Sequence, residues 1–543
     1  MASDSAGRVG VRTCEAKEVH GAKEMTKLRR VLGLSLSLVL RHASFLAVVL
    51  YLTGSLAGLS ALSFAGRPGG LDEKAFQLSV ASTRLGATKA ADVMRLYHAR
   101  TDLESDHGNY NNMLEEARVM WNECETQWQS TPSRRHRLAW HRGGRDVVYD
   151  VIEATRADGT ESLLVVIPYS PVPASSSIGM ALGHGLGWYL QEQEWLAKNV
   201  VIVYVDVSKP SSKFGVEEAL DAFLSSVVDR RIGQIVQGVV LDFTKGGMEA
   251  APAAPSAPSA SIKVHGWNGR LPNLDLFVAT RQLAGTHFAS RERITVHGAS
   301  TPGDPAWNKG RALLRFVSHH GIGIADGAHG TLLDRGIDAL TVELSFQPTN
   351  ANLRGALQMA EGLVRGLNNL HERLHHATGL YALGGASVVI DIGMYTACPT
   401  LLALACALKA YQLTRAKGGV GTTYVTWNQA VRWFVGLVCG AAALYVNGHV
   451  LARHYTNSAG GGPPLTDAFK SCAVAFGRIA ISGVCITEFF KVRRHGGESL
   501  TVRRDAALAW ALCGVSVVLI LYRWSLAWML LTVCLPFIIT RLN

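Results

Sequence analysis

Residues 145–168, RDVVYDVIEATRADGTESLLVVIP, decide the fold of this 543-residue chain. Arg145 to Thr155 alternates apolar and polar side chains, the period of a half-buried strand, and Ser162 to Pro168 is a second apolar run. Ala157-Asp158-Gly159 lies between them, so the segment predicts a β-hairpin turned at Asp-Gly. Outward from it, strand-like runs at Val200 to Val207, Ile235 to Phe243, Ile262 to His265 and Ile337 to Leu344 alternate with helical stretches. Those helices are expected at Ile178 to Leu196, Glu217 to Val228, 274–284, 307–318 and Leu353 to Leu374, with two more at 84–100 and 111–123. Apolar strands alternating with helices predict an α/β domain, a mixed or mostly parallel sheet flanked by helices. The tract AAPAAPSAPSAS at 250–261 reads as a Pro/Ala/Ser insertion loop within that domain.

The composition fits a soluble domain joined to bilayer spans: 48% hydrophobic, 17% charged, mean hydropathy +0.15. The net charge of +11 gathers beside the apolar segments rather than in a stripe with aromatics, which excludes nucleic acid as the natural partner. His42 to Phe64 is long enough to cross a hydrocarbon core of about 30 Å, and is read as an uncleaved anchor rather than a signal peptide. Further spans are expected at Gly393 to Ala410, Val431 to Ala452, Phe469 to Phe490, Ala506 to Leu521 and Leu526 to Thr540. Basic clusters at Lys23 to Arg41, at Lys409 to Lys417 and at Lys491 to Arg504 fall on one side of that arrangement, the cytoplasmic one. The expected organisation is a cytoplasmic leader at 1–41, a first transmembrane helix at 42–64, a lumenal domain at 66–376 and a C-terminal transmembrane region at 377–543. Seven of the nine cysteines lie in that last region and only Cys124 in the lumenal domain, so no disulfide forms inside it.

In open α/β sheets ligands gather beyond the carboxyl ends of the strands. Pro168-Tyr169-Ser170, Asp206-Val207-Ser208 and Asp242-Phe243-Thr244 occupy those ends, and His329 lies in a later loop. This order resembles the di-zinc aminopeptidase fold. The resemblance implies metal-site positions at Asp206, Asp242 and His329, with Gly336-Ile337-Asp338-Ala339 following the last of them. The first ligand segment is replaced by Pro168-Tyr169-Ser170, the bridging Asp by residues within 174–177, and the Glu pair is missing. Two metals about 4 Å apart without a bridging carboxylate repel each other unscreened, so the positions read as vestigial, with no zinc or other cofactor expected. His329 is open between a vestigial ligand and a satisfied loop histidine.

A sharper resemblance rests on Asn268-Gly269-Arg270-Leu271-Pro272-Asn273-Leu274-Asp275-Leu276, on Ala328-His329-Gly330 leading to Ile337-Asp338-Ala339-Leu340, and on Leu370 to His375 followed by Ile392-Gly393-Met394-Tyr395. In that order, against those spans, they resemble the large Gaa-type subunit family of the glycosylphosphatidylinositol (GPI) transamidase. The resemblance implies an endoplasmic reticulum membrane protein that positions the GPI lipid and a substrate protein's C-terminal signal for a separate cysteine-protease-like catalytic subunit. The alternative is a metal-dependent enzyme, peptidase-like or amide-forming, run from Asp242 and His329. Asn268-Gly269 suits a turn with positive φ, Pro272 stiffens the next step and Asn273 can cap the helix that Leu274 begins. His371, Arg373, His375 and Tyr395 at the membrane junction, with Arg478 about mid-span, are the candidate head-group contacts.

Overall fold

A computed structural model describes residues 42–57, 85, 134–142, 145–156, 159–169, 178–206, 216–227, 231–243, 257–300, 306–370, 374, 381–415 and 499–540. In chain order, α1 (Ala43–Leu52) precedes β1 (Arg135–Arg142), β2 (Arg145–Ile152), β3 (Glu161–Tyr169), α2 (Ile178–Gln191), β4 (Asn199–Asp206), α3 (Val216–Ser226), β5 (Gln234–Asp242) and β6 (Ser259–Lys263). Then come α4 (Leu274–Leu283), β7 (Ile294–Thr295), α5 (Ala306–Ile322), α6 (His329–Asp334), β8 (Asp338–Ser345) and α7 (Asn350–Asn368). A two-stranded ribbon, β9 (Tyr381–Leu383) and β10 (Val389–Asp391), leads to the helices α8 (Ile392–Tyr395), α9 (Ala397–Arg415) and α10 (Ser499–Thr540).

The main sheet is mixed, in the order β1-β2-β4-β3-β5-β8-β6-β7. Its four central strands are parallel, and each is apolar on both faces because helices cover both. On β3, Leu163, Val165 and Ile167 face one core with α2, α4 and α7, while Leu164 and Val166 face a second with α3 and α6.

The expected hairpin is corrected. β4 inserts between β2 and β3, pairing antiparallel with the first and parallel with the second. Asn199, at the start of β4, binds both Ala154, after β2, and Gly159, before β3. Its side chain accepts from Ala154 N–H at 2.7 Å and donates to the carbonyls of Gly159 at 3.2 Å and Arg231 at 2.7 Å. The hairpin actually formed is β1–β2, with Arg142 opposite Arg145.

The Pro/Ala/Ser tract is also shorter than expected. Its last three residues, Ser259, Ala260 and Ser261, open β6, because β8 offers an antiparallel edge opposite Ser345, Leu344 and Glu343. Small side chains with weak strand preference accept that pairing once a partner supplies the hydrogen bonds.

Among the described residues one helical stretch, Ile392–Thr414, is long and apolar enough to cross a membrane. Residues 506–521 and 526–540, expected as two spans, lie on the single helix α10, since Tyr-Arg-Trp-Ser at 522–525 contains neither Gly nor Pro to break it. The segments at 431–452 and 469–490, and Arg478, lie outside the described residues. The first apolar helix packs against the others: Tyr51 donates to the Thr532 carbonyl at 3.1 Å, and Trp528 Nε1 donates to the Gly54 carbonyl at 3.1 Å. Lys409, expected beyond the second span, lies within α9 and is buried.

Candidate functional site

Asp206 ends β4 opposite Tyr169, and Asp242 ends β5 opposite Glu343. His329 is the first residue of α6, helical and fully buried rather than in a loop, and its Nδ1 lies 2.9 Å from Thr341 Oγ1 on β8. Its Nε2 lies 3.5 Å from Asp326 Oδ1. Among the described residues, no group of three ligand-type side chains contains Asp242 or His329.

A different group does assemble, from His265, His297 and Asp326, whose ligand atoms all lie within 4.8 Å of one another. His265 follows β6 and is fully buried. Its backbone N–H donates to Asp326 Oδ1 at 3.0 Å, and Asp326 N–H donates back to the His265 carbonyl at 3.0 Å. His297 follows β7 in a turn closed by the Val296–Ala299 bridge, at φ 52°, with Arg315 donating to its carbonyl at 3.0 Å. The two imidazoles meet Nε2 to Nε2 at 3.0 Å. Phe316 and His319 of α5 pack on the His265 ring, with centroids at 4.6 Å and 5.5 Å.

Burial sets the charge of this cluster. It pushes the His265 imidazole well down, with further repulsion from the neighbouring histidines, and takes His297 and His329 down to about 3 each. The same burial raises the Asp326 carboxyl to about 7, against the opposing pull of Lys263. The Asp326–His329 contact is therefore a neutral imidazole against a half-protonated carboxyl near pH 7, not an ion pair. Lys263 instead pairs with Glu343 across the β6–β8 ladder.

The Asn-Gly motif supports this end of the domain. Asn268 and Gly269 sit at φ 60° and 71° within the short helical turn Trp267–Gly269, and Asn268 N–H donates to the Gly323 carbonyl at 2.9 Å. Arg270 Nη1 donates to the carbonyls of Leu333 and Asp334 at the end of α6, at 2.8 and 2.9 Å. Leu271 and Pro272 are buried, and the Pro272 carbonyl accepts from Tyr381 Oη at 3.0 Å. Asn273 caps α4 as expected, accepting from Asp275 N–H at 2.8 Å. Asp338 opens β8 opposite Gln237. The motif is thus a bracket joining β6, α4, α5, α6 and β9.

Of the candidate head-group contacts, His371, Arg373 and His375 lie outside the described residues. Tyr395 is 2% exposed and stacks on Trp524 at 4.3 Å between centroids, so it joins α8 to α10. Beside it, His320 Nδ1 lies 2.6 Å from Ser525 Oγ, the link between the α/β domain and α10 that sequence reasoning missed.

Fold and site together define a mixed-sheet α/β domain fastened to apolar helices, with a part-buried imidazole–carboxylate cluster at one edge of the sheet. The chain belongs to the family described as Gaa1-like, GPI transamidase component, whose sequence profile matches residues 144–542. It is 26% identical over 308 residues to the GPI transamidase component gaa1 of Schizosaccharomyces pombe, covering 54% of this chain and 50% of that protein. It is 24% identical over 304 residues to GPI transamidase component GAA1 of Saccharomyces cerevisiae, covering 54% and 47%. The chain thus spans about half the length of the curated relatives it matches. Similar solved structures include the LapA aminopeptidase of Legionella pneumophila, at TM-score 0.35 and 9% identity over 56% of this chain and 76% of that one. Another is the glutaminyl cyclase of Porphyromonas gingivalis, at TM-score 0.30 and 12% identity over 53% and 96%. Likenesses of that size carry no argument about chemistry.

Proposed function

We propose that this chain is a non-catalytic subunit of a GPI transamidase, positioning the GPI lipid and the substrate protein's C-terminal signal for anchor attachment. The observation that carries this reading is the extent of the family match, which runs from the β1–β2 connection almost to the end of the chain, through both the sheet and the apolar helices. In this reading the protein crosses the endoplasmic reticulum membrane several times, with its N-terminus in the cytosol and the α/β domain in the lumen. Its partners are a cysteine-protease-like catalytic subunit and the other subunits of the complex.

The division of labour follows from chemistry. A lipid with phosphates and sugars needs an apolar slot between helices and polar groups at its rim, and the helical region with the 371–375 junction supplies residues of both kinds. Of the metal positions implied by the aminopeptidase resemblance, Asp242 lies at the end of β5 in register with Glu343, and His329 Nδ1 lies 2.9 Å from Thr341 Oγ1.

Affinity purification of the tagged full chain in mild detergent tests the reading. Recovery of a cysteine-protease-like partner is expected. A chain that purifies alone and cleaves peptides, with activity lost in Asp242→Ala, would replace this reading with the metal-dependent enzyme.

A further inference from the structure

Two imidazole nitrogens that meet at 3.0 Å, one ring fully buried and the other half-buried, have two ways to coexist. Either one proton lies between them, or both lone pairs point at a cation. With zinc–nitrogen bonds of about 2.0–2.1 Å, two ligands of a tetrahedral ion stand about 3.3 Å apart, so His265 and His297 need open by only a few tenths of an ångström. Asp326 brings a carboxylate to the same point and is locked there by its reciprocal backbone pairing with His265.

A second observation points the same way. A third imidazole, His329, is fully buried beside the cluster. His329 Nε2, 3.5 Å from Asp326 Oδ1, is placed to donate to a carboxylate that ligates a metal, the outer contact such ligands commonly have.

We infer that His265, His297 and Asp326 bind one divalent ion of the zinc class, separate from the Asp206, Asp242 and His329 positions and independent of the transamidase reading. Two imidazoles and one carboxylate match a borderline-soft ion better than magnesium or calcium, which prefer all-oxygen shells. Burial holds both imidazoles in the neutral form that ligation needs. As the ion binds, the proton between the two rings passes to Nδ1 of the ring that carried it, so both imidazoles stay neutral, and where Asp326 is protonated its carboxyl proton is released to solvent. The ion's role is structural: the three ligands come from the end of β6, the turn after β7 and the loop between α5 and α6, and the ion clips these three segments together.

The test uses the full chain purified alone in detergent, stripped with a chelator and reloaded with zinc or cobalt(II). One zinc per chain by elemental analysis is expected, with the visible absorption of tetrahedral cobalt(II) in the loaded sample. His297→Asn, a residue that tolerates the positive φ at this turn, and Asp326→Asn should each lose the bound metal and the cobalt bands, while Asp242→Ala keeps both. A wild-type chain that takes up no stoichiometric zinc overturns the inference. So does metal retained in His297→Asn or lost in Asp242→Ala. Circular dichroism of each variant separates metal loss from failure to fold, and a fold-retaining His297→Asn that still binds one zinc is decisive against the site.

Discussion

Replacing Gly269 by alanine separates a structural role for the Asn-Gly motif from a ligand-binding one, provided Gly336→Ala is measured beside it. Both glycines have left-handed backbones, at φ 71° and 75°. Alanine pays about 1 kcal/mol or slightly more for that conformation at either position. The surroundings differ: a Cβ at Gly336 meets nothing within 4 Å, whereas one at Gly269 falls 2.7 Å from the His320 carbonyl oxygen. That oxygen is backbone at the end of α5, where the chain is held by Gly323 N–H on the His319 carbonyl at 2.8 Å and by Asn268 on Gly323. Forcing it aside adds about 1–3 kcal/mol, so Gly269→Ala should cost about 3 kcal/mol and Gly336→Ala about 1 kcal/mol. For a domain of this size about 1 kcal/mol lowers the apparent melting temperature by roughly 2–4 °C, and the two variants should separate by at least that much. Intrinsic-fluorescence melting of the full chain in one detergent, at one heating rate, reads the difference. Equal shifts would refute the steric argument. An unshifted Gly269→Ala that had nevertheless lost its association with the transamidase would mean that the glycine serves a ligand's approach.

Two further substitutions test the packing around the sheet. Glu361, fully buried, accepts from Leu85 N–H at 2.9 Å and Tyr189 Oη at 2.7 Å and pairs with Arg365, so Glu361→Ala strands a buried guanidinium and should cost about 3–5 kcal/mol in the same melting assay. A loss below about 1 kcal/mol would mean that water reaches this cluster. Burial pushes the Glu217 carboxyl up to about 7, above its ordinary 4.5, so the folded state holds this proton more tightly than the unfolded one. Stability from this group is complete below 4.5, falls as pH rises towards 7 and levels off above it; Glu217→Gln should remove that fall, leaving the variant more stable by about 3 kcal/mol at pH 8. Parallel pH profiles for wild type and variant would sink the assignment.

Much of the sheet is legible because the central strands are short apolar runs rich in β-branched residues, buried on both faces. Val200 to Val205 and Ile235 to Leu241 lie in the strands their composition predicts. Strand neighbours are not legible in the same way: Asp-Gly marks a reversal, but which strand lies alongside depends on β4, fifty residues later than β2, claiming both edges. β1 escaped notice because RHRLAWHR carries basic and imidazole groups through most of its length, as suits an edge strand that must not pair further. The Asn273 cap and the Asn268-Gly269 turn were readable because each depends on a residue's own backbone preference.

The candidate metal cluster was illegible for the opposite reason. His265, His297 and Asp326 lie about thirty residues apart with no shared spacing, and the signal that drew attention to this region, His329, is their neighbour rather than their partner. Only the fold brings them together, and it does so with α5. Successive residues on a helix point about 100° apart, so His319 reaches the cluster while His320 reaches Ser525 on α10. Trp524, the residue before Ser525, packs between His320 and Tyr395, at 5.8 and 4.3 Å. One helix end therefore touches both the cluster's imidazoles and the apolar helix α10. An ion bound there would fix the loop that follows α5 against the ends of β6 and β7, next to the last turn of α5, where His320 meets Ser525.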